Sequence, residues 1–312
     1  MIISASRRTD IPAFYSEWFI NRLKEGFVYT KNPMNPKQIS KIKLNAEDVD
    51  CIVFWTKNVN PMLNYLKDID DMRYKYYFQF TINPYDKSIE KGLGSKNKII
   101  EGFKMLSSKI GKEKVIWRYD PIIINNNFTV QYHLNSFYKL CTLIGDYTTK
   151  CIFSYVDLYE KTKHSAKGII ENEVDIENMN AIAEGFQKIA KCKNIVLQTC
   201  SEKIDLSNYG IQHAACIDKK IVEDIIGCPI NVKKDKNQRQ ECRCIESIDI
   251  GSYNCCLNGC IYCYATLNKN IAYINMKKHN FKSPLIIGEL CQDDKIIDKK
   301  IVSSRNMQIS LF

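Results

Sequence analysis

The sequence has no stretch approaching the roughly 18 apolar residues that a membrane helix requires. Its start, MIISASRRTDIPAFY, lacks a basic segment followed by a long apolar run, so it does not read as a signal peptide. No glycine-rich dinucleotide fingerprint follows the first apolar run, which argues against an open Rossmann sheet. Histidine is scarce. His133, His164, His213 and His279 show no ligand spacing such as H-E-x-x-H and read as ordinary surface or core residues. Internal repeats and low-complexity linkers are also missing. These absences point to a soluble cytoplasmic protein. Its 312 residues, 45% of them hydrophobic, suffice for one large domain or two smaller ones.

What is present in excess is positive charge and cysteine. A net charge of +10 would suit an anionic partner such as nucleic acid, although lysine spread over the surface explains it more simply. Fourteen cysteines in a reducing compartment should be thiols, and clustered thiols there suggest metal binding or catalysis more than disulfides.

Short apolar, β-branched or aromatic runs at 2–5, 50–55, 76–81, 115–119, 151–156 and 194–199 read as strands. Helix-like stretches fit between them at 15–25, 60–68, 88–109, 130–145 and 175–191. This alternation predicts an α/β fold, a partial parallel (β/α) barrel of about six units. Residues 1–200 would form the barrel-like core. Residues 201–312 would be an irregular, cysteine-rich segment packed on it.

Polar groups follow each expected strand, where a parallel barrel builds its site. They are Ser6 to Asp10, Thr56-Lys57-Asn58, Asn83, Arg118 with Asp120, Asp157, and Cys200-Ser201-Glu202.

In CCLNGCIYCYA (255–265), Cys256, Cys260 and Cys263 follow the spacing C-x3-C-x2-C. Three thiolates on a tight loop can each hold one iron of a 4Fe-4S cubane, leaving the fourth iron open. An open iron can chelate the amine and carboxylate of S-adenosylmethionine, and electron transfer to the sulfonium then releases a 5′-deoxyadenosyl radical. The spacing resembles the signature of radical S-adenosylmethionine enzymes, in which the aromatic residue before the last cysteine, here Tyr262, commonly lies against the adenine. A closed zinc site with a fourth cysteine is the alternative, and the aromatic neighbour and barrel pattern favour iron–sulfur. Radical enzymes carry this motif after the first barrel strand, whereas here it follows all six expected strands.

The whole chain resembles a bacterial family of unknown function (domain of unknown function 1848). The resemblance is carried by SASRRTDIPAFY, FWTKN, WRYDPI, SYVDLY, QRQECRCIESIDIGSYN and CIYCYA. It implies a radical-enzyme-like cluster near the C-terminus and supplies no reaction.

Cys200, Cys216, Cys242 and Cys244 are candidates for a second iron–sulfur cluster or a zinc ion, against a reading as scattered buried thiols. Cys255, Cys51, Cys141, Cys151, Cys192, Cys228 and Cys291 read as bystanders. The carboxylate and ribose of S-adenosylmethionine call for Arg118 and Asp120, with Ser154, Asp157 and Thr199 behind them. An internal salt bridge would equally explain the Arg118–Asp120 pair. Arg7, Arg8 and Asp10 could bind an anionic substrate.

The terminal QISLF resembles the pentapeptide by which bacterial DNA polymerases and repair proteins dock on the sliding clamp, with Gln308 at the pocket rim and Leu311 and Phe312 in the groove. A terminal strand on the protein's own core is the simpler reading. The chain is therefore expected to be an enzyme that abstracts a substrate hydrogen, fed by a reductant such as flavodoxin or ferredoxin. The substrate class suggested by charge is DNA or a nucleotide derivative. Spore photoproduct lyases, which act on DNA, share only the cluster spacing. The rival expectation is a zinc-stabilised nucleic-acid-binding protein without redox chemistry.

Overall fold

A computed structural model describes residues 1–158, 162, 166–300 and 302–306. The six expected strands form as β1 (Ile2–Ala5), β4 (Cys51–Thr56), β5 (Tyr76–Thr81), β6 (Val115–Ile122), β7 (Lys150–Tyr155) and β8 (Val196–Thr199). Two short strands join at the edges, β9 (Gln212–His213) beside β8 and β10 (Ile248–Asp249) beside β1. The sheet order is β10-β1-β4-β5-β6-β7-β8-β9, every pair parallel. Among the described residues the sheet does not close. It is the expected partial (β/α) barrel.

These strands are near-continuous apolar runs because both sheet faces are covered. On one face Phe54, Phe78, Phe80, Trp117, Tyr119 and Phe153 enter the main core. That face packs against α2 (Ser16–Glu25), α4 (Lys96–Ile110), α5 (Val130–Ile144) and α6 (Ile176–Lys191). Phe137 of α5 and Phe186 of α6 stack at 3.9 Å, the centre of an aromatic layer. Side-chain caps begin two of these helices: Thr129 accepts from Tyr132 N at 3.2 Å and Asp175 from Asn178 N at 2.9 Å. The alternate residues Cys51, Val53, Tyr77, Ile116 and Ile152 face the other way. There they meet Ala214, Ile217, Ile230, Ile245 and Val222 of α7 (Lys219–Ile226), so apolar residues drawn from 214–245 cover this second face.

A second sheet was not anticipated. It joins β2 (Phe27–Lys31), β3 (Gln38–Lys43) and β11 (Lys295–Asp298). Shorter helices complete the fold: α1 (Ile11–Phe14), α3 (Leu66–Asp71) and α8 (Lys269–Met276). Helix α4 begins at Lys96, eight residues later than expected, because the preceding residues 89–92 pair with the cysteine loop. Among the described residues no helix is long and apolar enough to cross a membrane. Gln308, Leu311, Phe312 and His164 lie outside the described residues.

Candidate active site

Because all eight strands run parallel, their C-terminal ends open at one mouth. The late position of the cysteine motif finds its explanation there. The motif follows β10, and β10 lies at the sheet edge next to β1, pairing Ile3 with Ile248. A loop leaving β10 therefore emerges at the same mouth as the loops after β1 and β4.

The cysteine loop is pinned by backbone pairing with residues 89–92. Gly92 N donates to Asn258 O at 2.8 Å and Ile261 N to Ile89 O at 3.0 Å. A Cβ on Gly92 would stand 2.0 Å from Leu257 O, so only glycine permits this approach. Asp10 caps α1 through Ala13 N and accepts from Lys57 N (2.8 Å) and Asn258 Nδ2 (3.0 Å). Burial raises its pKa against those hydrogen bonds. Cys255 turns into the core and donates to Ser252 O at 2.9 Å, while the loop's other three thiols line a cavity of about 430 Å³.

Glu90, 1% exposed, ties this loop to the barrel. It accepts from Tyr262 Oη at 2.6 Å and Lys57 Nζ at 2.8 Å, and Lys96 Nζ lies 3.1 Å away. Burial alone would raise its pKa, but the two ammonium groups override that and hold it at about 2. Burial pushes the Cys256 thiol up and the Cys260 thiol to about 12, the latter opposed by Lys57.

The far wall of the cavity is cationic. Arg118 donates through Nε to Asp120 Oδ2 at 3.0 Å and through Nη1 to Cys216 Sγ at 2.8 Å. Asp120 also accepts from Ser154 Oγ; burial would raise its pKa, yet Arg118 holds it below the usual range. Arg7 and Arg118 place their guanidinium carbons 5.3 and 5.4 Å from the ring centroid of Trp55. Cys200 and Cys216 bring their Sγ atoms to 3.2 Å, and Cys216, Cys244 and Cys242 continue the contact as a row. The hydrogen bond with Cys216 draws the Cys200 thiol down to about 7.

Nearly all the expected site residues meet here. Arg7, Arg8 and Asp10 line the cavity, as do Arg118, Asp120, Ser154 and Tyr262. Asp157 lines it too, paired with Arg239 at 2.8 Å. Thr199 does not; its hydroxyl bonds His213 Nδ1 at 3.0 Å. His133 is buried between Tyr119 and Ile123, and burial lowers it to about 4. Sequence reasoning missed Trp55 and Glu90. The alternation Cys51, Val53, Trp55 could have found the first; no local pattern marks the second. Among the described residues no group of three or more His, Cys, Asp or Glu side chains is arranged to hold a metal ion.

A family model described as "Domain of unknown function (DUF1848)" matches residues 2–265, a span that ends just past the cysteine loop. No curated protein and no solved structure matches the chain.

Proposed function

The chain belongs to the DUF1848 family, and from that premise we propose that it is an iron–sulfur enzyme of the radical S-adenosylmethionine kind, its cluster held by Cys256, Cys260 and Cys263. One observation carries the reading: the three loop thiols and the polar residues after β1, β4, β6 and β7 line a single cavity at the mouth of a parallel sheet. A cubane offers each thiolate its own iron, so the three thiols need not converge on one point as they would for a single ion. When bound, the cluster and S-adenosylmethionine would supply a 5′-deoxyadenosyl radical that takes a hydrogen atom from the substrate.

The chain's own residues have definite parts in this proposal. Arg118 and Asp120, fixed by Ser154, meet the carboxylate and ribose of S-adenosylmethionine. Tyr262, held by Glu90 and Lys57, lies beside the adenine. Asp10 is engaged by three donors and holds the loop. Arg7 and Arg8 receive an anionic substrate. They also border a polar basin of about 590 Å³ that continues to Lys31 and Lys299, which supports a DNA or nucleotide-derived substrate. A flavodoxin or ferredoxin would supply the electron, and Gln308, Leu311 and Phe312 would recruit the protein to a sliding clamp.

The test is anaerobic purification and reconstitution. The proposal expects brown protein containing iron and sulfide that forms 5′-deoxyadenosine from S-adenosylmethionine under reduction. Colourless protein carrying zinc would overturn it in favour of a structural metal site. An iron–sulfur protein whose spectrum ignores S-adenosylmethionine would reduce it to an electron carrier.

A further inference from the structure

Two thiols in the cavity wall stand ready to react with each other. Cys200 Sγ and Cys216 Sγ lie 3.2 Å apart, and both are free thiols. The fold brings them there. Cys200 follows β8 and Cys216 follows its neighbour β9, with Thr199 paired to His213 and Ala214 N donating to Thr199 O at 2.7 Å. The register sets Cys200 level with Ala214, and Cys216, two residues further on, brings its sulfur back to within 3.2 Å of Cys200 Sγ. Cys200 is half-buried and faces the cavity, while Cys216 is 2% exposed behind it. Arg118 Nη1 donates to Cys216 Sγ at 2.8 Å, so a guanidinium borders the pair.

We propose that Cys200 and Cys216 form a redox-active dithiol whose co-substrate is a small disulfide, RS–SR. The Cys200 thiolate attacks one sulfur of RS–SR, forms a mixed disulfide and expels RS⁻. The Cys216 thiolate then attacks Cys200 Sγ and expels the second RS⁻. Two cysteine thiols become one disulfide, RS–SR is reduced to two RSH, and the two cysteine protons end on the departing thiolates. A disulfide sulfur is a poorer acceptor than a thiolate, so oxidation releases Arg118 Nη1 toward the cavity, beside Asp120. The reaction uses neither the loop cysteines nor S-adenosylmethionine, so it stands or falls apart from the radical reading.

The experiment treats the full chain with cystamine, blocks remaining thiols by alkylation and maps the peptides by mass spectrometry. Cys200 and Cys216 are expected to disappear together into one cross-link that dithiothreitol reverses. The exposed Cys192 and Cys291 should yield only mixed disulfides. In Cys216→Ser, Cys200 should stop at the mixed disulfide with cysteamine; should that variant fail to fold, the wild-type map decides alone. Accumulation of a Cys200 mixed disulfide in the wild type without cross-linking would overturn the proposal. So would a cross-link from Cys216 to Cys244. Unreactive Cys200 and Cys216 with metal that survives Cys256→Ala, Cys260→Ala and Cys263→Ala together would overturn it as well, and would make the row a metal site.

Discussion

The loop cysteines and the row cysteines face the same cavity but are built differently. Cys256, Cys260 and Cys263 sit on one short loop whose backbone is pinned from outside by residues 89–92 and by Asp10 through Asn258. The row, Cys200, Cys216, Cys242 and Cys244, is drawn from three separate segments, and its sulfurs touch one another. A loop preformed by backbone pairing suits a polynuclear guest; touching thiols suit exchange among themselves. On the proposed reading, the same residue type takes on two chemistries according to what fixes its backbone.

The largest effect separating the two sets should come from Cys260→Ala. Loss of one of three ligands should abolish cluster assembly, read as iron and sulfide content, while thermal unfolding of the metal-free protein changes little because only one small, partly buried thiol of a loop is removed. Iron content equal to wild type would break the comparison at its root.

Glu90→Gln comes next. It leaves Lys57 and Lys96 without their buried carboxylate, a loss of about 3 kcal/mol in denaturant unfolding. The sign with pH follows from a folded pKa depressed from 4.5 to about 2. The carboxylate's contribution is complete above pH 4.5 and is lost as pH falls toward 2. The gap between wild type and variant should therefore close over that window; a gap independent of pH would show that Glu90 works otherwise.

How much of this was legible in the sequence depended on locality. β1 and β5 lie at the expected residues, and the groups after β1, β4 and β6 meet at one mouth, because a parallel strand declares both its apolar run and its C-terminal end. The second sheet escaped notice since β2 and β3 carry lysines and β11 arrives some 250 residues later. β9 and β10 are two residues each, too short for any periodicity, yet β10 explains where the cysteine motif sits. Thr199 was expected at the site, but alternation along β8 turned it toward His213 and left Cys200 facing the cavity. The link from Glu90 to Tyr262 joins residues 172 positions apart, and nothing local announces it.

Gly92→Ala probes the pinning itself. The new Cβ would meet Leu257 O at 2.0 Å, backbone that cannot swing aside as a side chain would. The expected cost is about 1–3 kcal/mol, with faster loss of cluster iron to a chelator. Unchanged iron retention would show that the pairing does not hold the loop. Cys255→Ala is the smallest effect and the control. Its sulfur faces Ser252 O in the core, so stability should fall by roughly 1 kcal/mol and iron content should not move.

The most direct measurement is iron per chain after anaerobic reconstitution of three proteins: wild type, Cys256/Cys260/Cys263→Ala, and Cys200/Cys216/Cys242/Cys244→Ser. Cubane ligation by the loop alone predicts about four, none and about four irons. Wild type carrying clearly more than four, or iron lost with the row substitutions while the loop stays intact, would contradict the division of labour between the two cysteine sets.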